Sequence, residues 1–342
     1  MYWSAGIVQK VRMETELKNT APDNPSQAWK KGISFALRIM VSIVVLYFIF
    51  SLVQWRNVLL ALQTADAISI LSAALLLCAN IGIRTIKWHT MLRTVKEKPT
   101  YAEAFGSVML GISFGSFTPG EIGDFAGRAL HVTDAKRSHL VGLTLLDKAQ
   151  IFILTGGAGL ISLACLVFDN PYVIASSILI VFLLSGVLVL RLGLAASLGR
   201  RINATLFKKN WISGVLDGFD LLNRRQLFVT ILYTLIFHLV LILQMYFLIN
   251  SFASINFTHT FIGTSAMMFV KSMLPISIGD LGIREAGSIF FFSTYGISQA
   301  AALNASLLLF FINVFIPSLL GTYFIKLGHF SALTSFQFLK KK

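Results

Sequence analysis

Residues 116–128 read SFTPGEIGDFAGR, and residues 272–284 read SMLPISIGDLGIR. The two stretches share the pattern S-x-x-P-x-x-I-G-D-x-x-x-R at a constant offset of 156 residues. Six coincidences, with Pro, Gly, Asp and Arg among them, indicate an internal duplication. We therefore expect each copy of the pattern to lie at the centre of one half of a duplicated membrane protein.

The composition supports a membrane setting. The 342 residues are 56% hydrophobic and only 13% charged, and the mean hydropathy is +0.75. Soluble proteins carry about 25% charged residues, so a soluble single core is excluded. The net charge of +14 comes mostly from loops beside apolar runs, which is typical of cytoplasmic loops rather than of nucleic-acid binding.

The cysteines and histidines carry no recognisable metal chemistry. Cys78 and Cys165 both lie in apolar stretches, and the six histidines follow no metal-binding spacing. We expect neither a metal site nor a cofactor.

The apolar runs predict an all-α polytopic protein with about six transmembrane helices, at residues 33–53, 67–87, 140–167, 173–190, 227–248 and 301–325. Residues 1–32 are expected to be a cytoplasmic tail, 33–331 the transmembrane domain and 332–342 a basic tail. The domain divides into a first half at 33–190, a basic cytoplasmic loop at 191–226 that suits the leaflet surface, and a second half at 227–331.

Each copy of the pattern predicts a re-entrant helical hairpin. In the first, a short helix at 102–115 breaks at 116–120, and a second helix starts near Asp124, which is expected to cap it. Basic loops on both flanks place its ends in the cytoplasm, whereas the flanks of the second hairpin lack Lys and Arg. There the helices are expected at 260–273 and 280–292, with a break at 275–279. The two hairpins would have opposite orientations and form an inverted repeat.

The pattern residues are candidates for binding an anion. A half-helix start offers free N–H groups and a positive dipole end, and Arg four residues after Asp suits phosphate. Alternatively, Asp124 with Arg128 and Asp280 with Arg284 simply neutralise each other. Asp147 and Lys148 are secondary candidates, for which an ion pair near the cytoplasmic helix end is an equal alternative.

These residues carry a resemblance to a known family. Pro119-Gly120-Glu121-x-Gly123 with Arg128, and Leu274-Pro275-Ile276-Ser277-Ile278-Gly279-x-Leu281-Gly282-x-Arg284-Glu285, resemble the membrane region of lysylphosphatidylglycerol synthases (multiple peptide resistance factors) and related stand-alone flippase-like proteins. The resemblance covers about residues 33–326, although the family often has Gly where this chain has Asp280.

The resemblance implies that Glu121, Arg128, Arg284 and Glu285 surround a lipid head group, while Gly120, Gly123, Gly279 and Gly282 shape the backbone. The chain offers no soluble region large enough for an aminoacyl transferase domain, so we expect it to correspond to the lipid-moving half alone. The complete set of candidate substrate-binding residues is Ser116, Pro119, Gly120, Glu121, Gly123, Asp124, Arg128, Ser272, Pro275, Ser277, Gly279, Asp280, Gly282, Arg284 and Glu285.

The sequence therefore favours a lipid flippase in a bacterial cytoplasmic membrane with both termini inside. Its expected partners are the bilayer and an anionic or aminoacylated phospholipid or a lipid carrier, and a homo-oligomer is left open. Two alternatives are a membrane-embedded transferase using Glu121, Asp124 or Glu285 as acid or base, and an accessory subunit of a lipid or glycan synthesis enzyme. No nucleotide-binding motif indicates direct use of ATP.

Overall fold

The computed structural model describes residues 55–168, 170–190, 192–207, 209–274 and 280–324. The predicted N-terminal tail, the span at 33–53, the second break at 275–279 and the C-terminal tail lie outside these ranges. Every regular element within them is a helix, and no strand occurs among the described residues. The all-α class is confirmed.

The first half contains six described helices: α1 (Trp55–Gln63), α2 (Ala67–Leu92), α3 (Tyr101–Ser116), α4 (Ile122–His131), α5 (Arg137–Val167) and α6 (Pro171–Leu190). The linking segment and the second half contain α7 (Leu192–Ile202), α8 (Asn210–Asp217), α9 (Arg224–Asn250), α10 (Phe257–Met273), α11 (Ile283–Ser293), α12 (Gln299–Phe310) and α13 (Ile316–Thr322). A π-helical turn at Phe311–Phe315 joins α12 to α13. The predicted helices therefore form with ends shifted by a few residues.

In the described part of the chain, four long helices are apolar enough to cross a membrane: α2, α5, α9 and the continuous stretch Gln299–Thr322. They correspond to four of the six predicted spans, and α6 occupies the place of a fifth with 20 residues. Large apolar side chains project outward from α2, among them Ile68 at 75% and Leu75 at 64% exposure. Such a surface is stable against lipid and costly against water.

The helix bounds repeat at the offset of the sequence pattern. Helices α3 and α10 begin 156 residues apart, and α2 and α9 begin 157 residues apart. The packing repeats as well, because α5 packs on α10 while its counterpart α12–α13 packs on α3 through α13. In each half, the long helix that follows the hairpin thus packs against the hairpin helix of the other half.

The equivalent helices α2 and α9 pack side by side and run antiparallel. The Asp66 backbone N–H at the start of α2 donates to the Ser251 carbonyl after the end of α9, at 2.9 Å. Near the other end, Lys87 Nζ donates to Thr234 Oγ1 at 2.5 Å. Equivalent helices that pair in opposite directions are what an inverted duplication requires.

The two larger apolar clusters of the described residues form one core in each half. The first joins the C-terminal part of α2 to α3, α4 and the start of α5 around Trp88, Met109 and Leu143. The second joins the end of α9 to α10, α11 and α12 around Met245, Phe292 and Leu309. Each hairpin therefore packs into a core of its own.

Candidate functional site

The first repeat forms a helix–turn–helix hairpin. Helix α3 ends at Ser116 and α4 begins at Ile122, with Gly120 and Glu121 both left-handed at φ 59° and 55°. The expected cap at Asp124 is wrong, because that residue lies inside the first turn of α4. The Thr118 hydroxyl oxygen instead accepts a hydrogen bond from the Gly123 N–H at 2.6 Å, which satisfies one free group of the helix start.

Small residues bring α3 and α4 into close contact. A Cβ on Gly123 would lie 2.0 Å from the Phe114 carbonyl oxygen, and a Cβ on Gly127 would lie 2.5 Å from that of Leu110. Gly111 leaves room for the Asp124 carboxylate, whose Oδ1 a Cβ there would meet at 2.1 Å. The glycines therefore allow a charged side chain to lie between two packed helices.

Arg128 is the centre of a buried ion-pair network. Its Nε and Nη2 donate to the two Asp124 oxygens at 2.7 and 3.1 Å, and its Nη1 donates to Asp147 Oδ2 at 2.9 Å. The guanidinium lies 4.9 Å from the Trp88 ring centroid, and the residue is 2% exposed. Asp124 and Arg128 thus form the ion pair that the sequence left open as an alternative to anion binding.

Two lysines extend this network on either side. Lys87 Nζ lies 2.5 Å from Asp147 Oδ1. Lys148 Nζ pairs with Asp124 Oδ2 at 2.8 Å and also donates to Glu121 Oε2. The secondary candidates Asp147 and Lys148 are thus joined to the first repeat through three ion pairs, and Asp147 is joined to α2 through a fourth.

Lys271 connects the network to the second half. Its Nζ lies 2.8 Å from Asp280 Oδ2 and 3.9 Å from Glu121 Oε1. Glu121 and Asp280 are two of the three non-glycine residues with positive φ in the described chain. Strained turn residues of this kind often mark functional sites, and here both face the same lysine.

The second repeat pairs its arginine differently. Arg284 Nη2 donates to Glu285 Oε1 at 2.6 Å, and Asp280, four residues before it, pairs with Lys271. Glu285 Oε2 accepts the Gly282 N–H at 2.6 Å, where Gly282 has φ 92°. Arg284 is 3% exposed and Glu285 is fully buried. This buried pair therefore stabilises the start of α11.

A small cleft opens where the two repeats meet. Its wall consists of Arg84, Gly111, Ile112, Gly115, Ser116, Glu121, Asp124, Asp280, Asn313 and Val314. Asn313 and Val314 belong to the π-helical turn, a feature that is frequent at functional sites. Helix α2, both repeats and the last long helix therefore all contribute to one polar cleft.

The structure brings some predicted residues to this cleft and places others elsewhere. Ser116, Glu121, Asp124 and Asp280 line it, while Arg128 lies behind Asp124 and Arg284 pairs with Glu285. Ser272 donates to the Met268 carbonyl of its own helix at 2.8 Å. Pro275, Ser277 and Gly279 lie outside the described residues.

Sequence reasoning missed Arg84, Lys87 and Lys271 as site residues. The first two lie near the basic end of a predicted span, where positive charge is expected from membrane orientation alone, and both precede the end of α2. Lys271 is a cation in an apolar helix, and a charge at that depth usually has a partner or a function. The scarcity of charged residues in this apolar helix was the signal that could have identified Lys271.

The carboxylates of the cluster are engaged by lysine and arginine. Among the described residues, no group of three or more His, Cys, Asp or Glu side chains is placed to hold a metal ion.

The helices and the buried ionic cluster define an integral membrane protein with two similar halves. The chain belongs to the family described as the lysylphosphatidylglycerol synthase TM region, whose model matches residues 35–321. The resemblance found in the repeat motifs is confirmed, and the protein is a membrane protein of lipid metabolism or transport. A comparison with curated proteins finds no match.

Proposed function

We propose that this protein moves a phospholipid or lipid-linked carrier between the membrane leaflets. The head group crosses through the cleft while the acyl chains stay in the bilayer. The observation that carries the proposal is the contact of Lys271 with both Glu121 and Asp280, because it joins the two repeats at a polar cleft. Inverted-repeat transporters bind their substrates at such an interface.

The hairpin lengths support insertion from one side. Helix α3 has 16 residues and α4 has 10, which corresponds to about 24 and 15 Å. Neither reaches across the ~30 Å hydrocarbon, so we infer that the first hairpin enters and returns on the same side. Its turn then lies at membrane depth, where irregular backbone needs protein or water around it.

The pairing of α2 with α9 supports alternating access. These helices occupy equivalent places in the two halves and run in opposite directions. Two halves of opposite orientation can exchange their conformations, which would open the same cleft to one leaflet and then to the other.

The state of the carboxylates favours translocation over transfer chemistry. Asp124 and Asp280 each have a cation within 2.8 Å, and Glu121 pairs with Lys148. A general base needs a carboxylate free to take a proton in a substrate complex. Paired carboxylates instead neutralise buried cations.

The direct test is lipid movement in liposomes that contain the purified protein. A head-group-labelled anionic phospholipid is incorporated into both leaflets, and the outer label is destroyed by a reagent that does not cross the membrane. We expect the inner label to be lost at least about tenfold faster than from protein-free liposomes. Equal rates, with correctly folded protein, would contradict the proposal.

Glu121→Gln provides a matched variant. It removes the contact of Lys271 with Glu121 between the halves. The ion pairs of Lys148 with Asp124 and of Lys271 with Asp280 remain. We expect a nearly unchanged melting temperature and about tenfold slower movement, because the more positive cleft releases an anionic head group slowly. Glu97→Gln removes an exposed carboxylate from the α2–α3 loop and should leave the rate unchanged.

A further inference from the structure

Arg84 is a cation in the cleft wall that takes no part in the ion-pair network. Four cations of the network, Lys87, Arg128, Lys148 and Lys271, face the four carboxylates Glu121, Asp124, Asp147 and Asp280. Every one of these cations has at least one carboxylate within 2.9 Å. Among the described residues, no carboxylate lies within 4.0 Å of Arg84, although Asp124, Glu121 and Asp147 are near enough to attract its charge. Its guanidinium carbon lies 5.9 Å from the Phe237 ring centroid.

The position of Arg84 suits a ligand. It lies in the wall of the main cleft, and it also lines a second, small cavity together with Lys87, Asp147 and Phe237. It is eight residues from the end of α2, or about 12 Å along the helix. An unpaired cation at that depth is costly and usually serves a substrate.

We propose that Arg84 binds the phosphodiester of the transported lipid, and that the cleft is matched to a single negative charge. This proposal rests on the proposed function and assigns the head-group contact to a residue outside both repeats. A guanidinium offers planar two-point hydrogen bonding to phosphate and keeps its charge in a partly dry site.

The motif arginines are less available for this contact. Arg128 uses Nε, Nη1 and Nη2 on two carboxylates, and Arg284 uses Nε and Nη2 on Glu285. A lipid phosphate would have to displace a buried carboxylate to reach either one, whereas Arg84 requires no such exchange.

The charge of the cleft distinguishes a diester from a monoester. Arg84 is one positive charge in excess of the balanced network, and a phosphodiester carries one negative charge. A phosphomonoester carries up to two, and the second would meet Glu121, Asp124 and Asp280 in the same wall without a spare cation. The cleft should therefore prefer the diester.

The test measures binding by the full-length protein in neutral detergent. The probes are short-chain phosphatidylmethanol, which is a plain anionic diester, short-chain phosphatidic acid as the monoester, and inorganic phosphate. We expect phosphatidylmethanol to bind at least about tenfold more tightly than phosphatidic acid, and inorganic phosphate to compete weakly because the acyl chains add affinity. Phosphatidic acid binding as tightly as phosphatidylmethanol would overturn the charge match, and inorganic phosphate binding as tightly as the diester would overturn a lipid site.

Variants of Arg84 identify the residue. Arg84→Gln should raise the Kd for phosphatidylmethanol by about ten- to a hundredfold, and Arg84→Lys by less than about tenfold because charge is kept. Arg93→Gln removes the same charge from the exposed end of α2 and should change neither the Kd nor melting. Unchanged binding by Arg84→Gln would overturn the assignment.

The outcomes separate the two proposals. If the wild type moves lipid and Arg84→Gln moves it equally fast, the Arg84 site is contradicted and the proposed function stands. Binding of the diester that depends on Arg84, without lipid movement in liposomes, would contradict the function and leave the site intact. Should Arg84→Gln melt early, Arg84→Lys decides: a Kd for phosphatidylmethanol raised by less than about tenfold supports the site, and an unchanged Kd overturns the two-point contact of Arg84 with the phosphodiester.

Discussion

Arg128 and Arg284 occupy equivalent positions, yet they have different partners. The offset of 156 places Leu303 where the first half has Asp147, Asn304 at Lys148 and Leu243 at Lys87. Arg284 therefore lacks the equivalent of Asp147 and pairs with Glu285 and Ser306, at 2.6 and 3.3 Å. The ionic network belongs mainly to the first half, and the repeated motif alone could not predict this.

A first prediction concerns Arg128. Arg128→Gln leaves buried carboxylates with fewer partners, so we expect a loss of about 3–5 kcal/mol in the free energy of unfolding. The double variant Asp124→Asn/Arg128→Gln should recover most of that loss, because the ion pairs of Asp147 with Lys87 and of Glu121 with Lys148 remain. Melting in detergent measures both.

The same double variant separates structure from ligand binding. If Arg84 binds the phosphate, a recovered double variant should also move lipid at close to the wild-type rate. A well-folded double variant that moves no lipid would instead make Arg128 a head-group ligand.

At the scale of elements, the close packing of α3 on α4 gives a second prediction. Gly123→Ala and Gly127→Ala place a methyl group against a backbone carbonyl of α3, so the hairpin must widen. We expect each to cost about 1–3 kcal/mol or more in the free energy of unfolding. Gly156→Ala in α5 is the control, since a Cβ there has nothing within 4 Å. Equal melting of Gly127→Ala and Gly156→Ala would contradict the close contact.

Most elements could be predicted from local sequence, and the exceptions have tertiary causes. Apolar run lengths and the Pro119-Gly120 break predict α2 to α5 to within a few residues. Asp124 has the chemistry of a helix cap, but Arg128 and Lys148 bind its carboxylate. The Thr118 hydroxyl oxygen instead accepts the hydrogen bond from the Gly123 N–H at the helix start. The π-helical turn at Phe311–Phe315 has no signal in the hydrophobic pattern.

At the scale of the whole molecule, the repeat predicted the duplication but not the junction of the halves. The offset of 156 reappears in the helix bounds, and the pairing of α2 with α9 follows from it. The contact of Lys271 with Glu121 has no counterpart in the repeated pattern, since Gly115 stands at the equivalent place in the first half. A site between two halves depends on residues that the duplication did not copy.

The central claim is that the two halves cross the membrane in opposite directions and enclose the cleft between them. The most direct test is one-sided labelling of single cysteines in a protein whose Cys78 and Cys165 are replaced. Cysteines at Asp134 and Arg201 should react only from the cytoplasm, and cysteines at Ser254 and Gln299 only from outside; the first three are exposed loop or helix-end positions and the fourth begins α12. Labelling of Asp134 and Gln299 from the same side would contradict the opposite orientation of the two hairpins, and with it the alternating cleft.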